Sequence, residues 1–208
     1  MTKTVRLLIH RPKQPFQRPG LMGLLTFGVV GALILSSIAF AQTPAVLSSF
    51  HVVDVKNRGD IRPPVITGLF YDATRDILIT AGDDHTIRVF KQPGDQQLVT
   101  LKAEGWVYGL TLDPTGRYLA AVDDRGLLTV WQWESGQQLY RLPLSSAALR
   151  TVTFHPGGQW LAAAGFEPRI FVVETLTGRR IANLTADRDL RQVVFSKNGS
   201  LLAAAGGS

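Results

Sequence analysis

The chain contains no cysteine, which excludes disulfide stapling, cysteine-ligated metal and a thiol nucleophile together. Histidine is scarce. Of the four, His10 falls in a basic leader, and His51, His85 and His155 share no metal-type spacing. No Gly-x-Ser-x-Gly elbow, phosphate-binding loop or dinucleotide fingerprint occurs. Beyond the first 41 residues no window of useful length carries the 3.6-residue periodicity of an amphipathic helix. Acid is absent from residues 1–41, and that absence shapes the reading of the N-terminus.

Lys3, Arg6, Arg11, Lys13 and Arg18 open the chain, and Leu21 to Ala41 then runs for 21 residues without a charge. A basic start, an apolar stretch and a small-x-small ending at Ala39-Phe40-Ala41 predict a secretory signal cleaved after Ala41. An uncleaved membrane anchor is the alternative, since a span needs roughly 20 apolar residues. Either way the basic end stays inside and the remainder is exported, to the periplasm or cell envelope. The membrane is then met only through this segment. The whole chain has 22 basic and 16 acidic residues. Setting aside the five leader bases leaves 17 against 16, so the basic pI belongs to the leader and no nucleic-acid partner is expected.

What is present is a repeat. Val65–Phe90 aligns without a gap on Trp106–Trp131 at an offset of 41, and Leu149–Val173 follows at 42. A further copy begins at Leu190, where Phe195, Gly199 and Leu202 fall 41 after Phe154, Gly158 and Leu161. Each copy reads as four short strands. In the second, Val107, Leu110 and Leu112 open a strand, and Asp113-Pro-Thr-Gly116 turns it, Pro fixing φ and Gly accepting the left-handed geometry. Tyr118–Val122 returns with small residues suited to a crowded position. Asp123–Gly126 turns again, Leu128, Val130 and Trp131 form a third strand, and Leu139–Leu142 a fourth. Short strands at regular spacing predict an all-β fold.

The module resembles the tryptophan–aspartate (WD) repeat, four strands of which make one blade of a β-propeller. The resemblance rests on Phe154-His-Pro-Gly-Gly-Gln-Trp-Leu-Ala, Leu112-Asp-Pro-Thr-Gly-Arg-Tyr-Leu-Ala, Gly82-Asp-Asp-His-Thr-Ile-Arg-Val-Phe90 and Leu128-Thr-Val-Trp-Gln, and covers about residues 48–208. It implies a β-propeller over residues 42–208 with about four blades, a partial ring among the options: blades at about 65–105, 106–147 and 148–189, and a split blade joining 190–208 to 48–62. In that split blade Phe50–Val55 supplies the third strand. The departures are consistent. No copy has the Trp-Asp pair, Phe90 being followed by Lys91, Trp131 by Gln132 and Val173 by Glu174. The Gly-His pair before the first strand is missing. The family's buried His–Asp network is therefore reduced to Asp84, a shifted Asp124 and Glu167, and the blades are expected to depend on apolar burial. A ring of only four blades would be tight, so pairing with a second copy is a further expectation.

By the same resemblance, partners dock on the face carrying the loops before the first strand and between the second and third. Those loops hold Trp106, Tyr108, Arg150, Arg188 and Arg191, with Asp84, His85, Asp124, Arg125 and Glu167, against the alternative that Trp106 and Tyr108 pack on a neighbouring blade. Arginine and aromatic residues dominate interface energies. Trp131 and Trp160 read as core. The acidic pairs Asp83-Asp84 and Asp123-Asp124 are explained by turn chemistry better than by a cation site, and His155 is a turn residue. Arg58-Gly59-Asp60 reads as a turn, and Asn183-Leu-Thr185 and Asn198-Gly-Ser200 match the glycosylation acceptor pattern. The positions nearest a central channel are Gly68, Gly109, Thr151 and Gln192, none suited to metal or acid–base work. The expectation is a non-catalytic scaffold for a protein or peptide partner, without cofactor. The alternative is an exported propeller enzyme, lactonase-like or a quinone-cofactor dehydrogenase, with part of its catalytic set in further blades.

Overall fold

A computed structural model of the chain describes residues 6–9, 64–92 and 96–206. All fifteen elements in them are strands. β1 (Arg6–Ile9) stands apart in sequence. β2 (Ile66–Asp72), β3 (Ile77–Gly82), β4 (Thr86–Lys91) and β5 (Gln96–Lys102) form one antiparallel sheet in chain order. β6 (Val107–Leu112), β7 (Tyr118–Asp123), β8 (Leu127–Gln132) and β9 (Gln137–Pro143) form a second, and β10 (Leu149–Phe154), β11 (Trp160–Gly165), β12 (Glu167–Glu174) and β13 (Arg180–Thr185) a third. β14 (Leu190–Phe195) and β15 (Leu201–Gly206) are antiparallel, and β1 lies parallel along the outer edge of β15, Arg6 opposite Leu201. These are WD-type propeller blades.

Successive blades stack face to face through their first three strands. Because side chains alternate across a strand, each middle strand serves two layers. Leu119 and Ala121 of β7 join Ile79, Ile87 and Val89 of the first blade in one cluster. Ala120 and Val122 of the same strand join Val152, Leu161 and Phe171 of the third. The next layer sets Ala162, Ala164 and Ile170 against Leu190, Val193, Phe195 and Leu202. A strand buried on both faces has room for little beyond alanine, which accounts for Ala120-Ala121 and Ala162-Ala163-Ala164, all buried. Each fully buried Leu or Ile contributes about 1.5–3 kcal/mol, so three apolar layers replace the polar network that the sequence lacks. Trp131 belongs to the first layer as expected, whereas Trp160 is only half-buried, its ring edge-on to His155.

Two positions carry the turn geometry. Gly116 has φ +75 and Gly126 φ +75, left-handed values that cost a glycine little. In the first blade His85 takes the place of Gly126 with φ 62, and the surrounding bonds match. The His85 carbonyl accepts from the Ala103 amide as that of Gly126 does from Leu144.

Phe50–Val55, Arg58-Gly59-Asp60, His51 and the Leu21–Ala41 stretch lie outside the described residues. No helix among the described residues is long and apolar enough to cross a membrane. Arg6–Ile9, part of the basic leader, is in this uncleaved chain a strand of the terminal blade.

A partner-binding face built on strand bulges

Each blade has two ends. At one, the turn between second and third strands meets the residue that leads into the first. The amides of Asp83, Asp124 and Phe166 donate to the carbonyls of Val65, Trp106 and Ala148 at 3.0, 3.0 and 2.9 Å. In the first two blades the bond is reciprocated. The Asp83 carboxylate accepts from the Val65 amide at 2.9 Å and the Asp124 carboxylate from the Trp106 amide at 2.8 Å. These side chains act as backbone clasps, the turn role expected of them.

The innermost strand of every blade breaks register at one equivalent place: between Ile66 and Gly68, Val107 and Gly109, Leu149 and Thr151, and Leu190 and Gln192. The skipped residues are Thr67, Tyr108, Arg150 and Arg191. A bulge bends the strand and re-aims the extra side chain. Tyr108, Arg150 and Arg191 therefore sit on the strands rather than in the loops before them, presented by one device in three successive blades. Thr67, in the remaining blade, spends its hydroxyl on the Val107 carbonyl at 2.6 Å.

Two large aromatic side chains stand open at this end. Trp106 is 43% exposed and Phe166 45%, so Trp106 is not packed into a blade junction, while Tyr108 is half-buried. The Arg150 guanidinium lies over the Phe166 ring, 3.5 Å from its centroid. Phe166 was not among the residues singled out from sequence. It fills the module slot of Asp83 and Asp124, and that substitution of an aromatic for a clasping acid was the available signal.

The acids at this end are largely committed. Burial opposes ionisation of Asp84, but hydrogen bonds from Arg88 and Thr86 outweigh it and hold its carboxyl below the usual range. Burial pushes Asp123 up, partly offset by the Leu127 and Arg125 amides bonded to it. Glu167 opens β12 instead of lying in the loop, and faces Arg169 at 3.8 Å. Arg125 and Arg191 are exposed, and among the described residues no carboxylate pairs with Arg150 or Arg191. Arg188 is exposed and runs alongside Gly206. Among the described residues no three His, Asp or Glu side chains gather to hold a metal.

The profile described as "WD domain, G-beta repeat" matches residues 95–132, from the fourth strand of the first blade through the third of the second. The meiotic recombination protein rec14 of Schizosaccharomyces pombe is 31% identical over 100 residues, 47% of this chain and 33% of that protein. THO complex subunit 3 of Arabidopsis thaliana is 27% identical over 122 residues, 58% of this chain and 39% of its own length. The small ribosomal subunit protein RACK1 of Caenorhabditis elegans is 30% identical over 103 residues, 48% and 31%. The chain belongs to the WD-repeat family, as a divergent member. It spans about a third of the length of these relatives.

At the opposite end of the WD blades the turns are structural. Asp113, buried, accepts from the Thr115 and Tyr118 amides. His155 holds the same slot in the third blade. Its Nδ1 accepts from the Gly157 amide at 2.9 Å, so Nε2 carries the proton and donates to the Gly199 carbonyl of the terminal blade at 3.1 Å. Arg75 makes the corresponding tie from the first blade to the Pro114 carbonyl of the second at 3.0 Å. Between second and third blades these turns part around a cavity of about 490 Å³, lined by Asp113, Arg117, Gln159, Glu174 and Thr175 among others. The Asn198 side chain accepts from the Ser200 amide and closes the last turn.

The inner positions are spent on blade junctions. A Cβ on Gly68 would touch Leu110, one on Gly109 would meet the Arg150 carbonyl, and Thr151 Oγ1 accepts from the Val193 amide at 3.4 Å.

Proposed function

We propose that this WD-repeat chain is a non-catalytic scaffold that binds a protein or peptide partner on the bulge-bearing end of its blades, the partner meeting Arg150, Phe166 and Trp106 with acidic side chains. The observation that carries the reading is the Arg150 guanidinium stacked on an exposed Phe166 with no carboxylate among the described residues to neutralise it. Stacking fixes the side chain and keeps its edge N–H groups for a planar acceptor, and arginine with aromatic neighbours is the usual make-up of an interface hot spot. Two relatives are named as members of larger assemblies, a THO complex subunit and a small ribosomal subunit protein, in keeping with a scaffold role.

The test is capture of partners by the purified chain, repeated with Arg150→Ala and Trp106→Ala. Each variant is expected to weaken binding about 10-fold or more, the effect of losing a hot-spot side chain. Retention of every partner by both variants refutes the face.

The proposed site of action is the cell envelope, argued from the basic leader and the apolar Leu21–Ala41 stretch. Intact-mass measurement of the secreted chain checks this. A mature protein beginning at Gln42 is expected, and retention of Met1 in the soluble cytoplasmic fraction refutes it. Cleavage would also remove β1 and leave the outer edge of β15 bare.

A further inference from the structure

The blade junctions repeat one pattern. The rear face of each blade, the face turned towards its predecessor, is laid against the forward face of that predecessor. On the second blade the rear face carries Leu110, Leu112, Leu119, Ala121 and Trp131, all buried. On the third it carries Val152, Phe154, Leu161 and Ala163, and on the terminal blade Val193, Phe195, Leu202 and Ala204, again all buried. Counting back 41 residues, the first blade has the same face, made of Leu69, Tyr71, Leu78, Thr80 and Phe90. There the inner strand is open: Leu69 is 67% exposed and Tyr71 51%, while Thr80 on β3 and Phe90 on β4 are buried. The uncovered part of this socket is the part that the first strand of a preceding blade would cover, as Gly68 of β2 sits against Leu110.

The matching forward face is open at the other end of the described blades. On β14 the residues equivalent to Gly68 and Phe70 are Gln192 and Val194. Gln192 is exposed and Val194 is 50% exposed. Leu69 and Val194 are both open in one chain, so its own β14 does not cover its own β2.

We propose that two copies of the chain associate head to tail, the β14–β15 forward face of each seating on the exposed β2 rear face of the other. Continuity with the existing junctions supports this, since the contact uses the faces that already bury Leu110, Val152 and Val193. A pair built this way has two identical junctions and closes on itself, which a single heterologous contact does only when the rotation allows it. It is independent of the Arg150–Phe166 face, whose residues it does not use.

The experiment measures the mass of the full chain in solution by light scattering, for the wild type, Leu69→Arg, Val194→Arg and an equimolar mixture of the two variants. Both substitutions are at exposed positions, and circular dichroism checks that they leave the fold intact. The wild type should be twice the monomer mass. Each variant alone spoils both junctions and should be monomeric, with association weakened at least 10-fold. The mixture pairs one intact Leu69 face with one intact Val194 face and should recover dimer. A wild-type monomer at high-micromolar concentration overturns the proposal, as does a dimer that either variant leaves intact. A mixture that stays monomeric overturns the head-to-tail arrangement, and a ladder of higher multiples overturns closure.

Discussion

Gly68 and Gly109 occupy the same place in successive inner strands, 41 residues apart, yet their surroundings differ enough to predict opposite outcomes for the same substitution. A Cβ at Gly109 would stand 2.7 Å from the Arg150 carbonyl, 3.0 Å from Thr151 Cα and 3.1 Å from Val122 Cγ2. Two of those are backbone atoms of the next blade and cannot rotate away. At Gly68 the tightest contact is 3.2 Å, to the tip of Leu110, with Ala81 Cβ and the Val107 carbonyl at 3.5 Å. Alanine in a strand regains about 0.5–1 kcal/mol over glycine from the unfolded chain. Overpacking against unyielding neighbours costs about 1–3 kcal/mol. Gly109→Ala is thus a net loss of about 1–2 kcal/mol, whereas Gly68→Ala is neutral or gains a few tenths. At about 2–4 °C per kcal/mol for a domain of this size, the melting midpoint should fall by about 2–8 °C for the first and stay or rise slightly for the second. Thermal unfolding followed by circular dichroism reads both. Equal shifts for the two variants would refute the account of the junction. Because the displaced atom is the Arg150 carbonyl, Gly109→Ala should also weaken partner binding while Gly68→Ala leaves it unchanged.

Three further outcomes follow from the turns. Trp133, buried, donates its indole N–H to the Gly116 carbonyl at 2.7 Å. Trp133→Phe should cost about 2 kcal/mol, from an orphaned carbonyl and a small void, measured by urea denaturation. His155→Ala removes the tie to Gly199 and a buried ring packed edge-on against Trp160 and Phe195, and should cost about 2–4 kcal/mol on the same assay. The acids should differ in sign with pH. Asp84, held low, contributes stability that is present above its unfolded pKa and lost as pH falls through the folded value; Asp84→Asn should therefore flatten the acid limb of a Tm–pH curve. Asp123, pushed up by burial, favours the fold below the ordinary carboxylate range and loses that contribution as pH rises through its folded value. Asp123→Asn should then be no less stable than wild type at neutral pH, and a marked loss there would show that the charge itself is needed.

The strands were legible because their signals are local. Pro114 and Gly116 end one strand and Gly126 starts another by backbone preference alone, and the offset of 41 lets three copies confirm each turn. Asp113 and His155 were read as turn residues for the same reason, as was the absence of room for catalytic groups at Gly68 and Gly109. Three features of the candidate face were not legible. The bulges at Tyr108, Arg150 and Arg191 have no residue signature, since they arise from mismatch between paired strands. Phe166 was passed over because its value lies in Arg150, 16 residues earlier, being stacked on it. The Asp pairs looked equivalent, but by module position Asp83 matches Asp124, and each clasps the residue that leads into its own first strand.

The sequence alone determined the blade: four short strands, their turns, and which residues of each strand are apolar enough to be buried. Those properties depend on neighbours a few residues away and on alternation along a strand. Tertiary structure decided which copies of a face are covered. Leu69 and Leu110 occupy the same module position in the same kind of strand, and one is exposed while the other is buried. The difference lies wholly in whether a preceding blade's first strand is there to cover it.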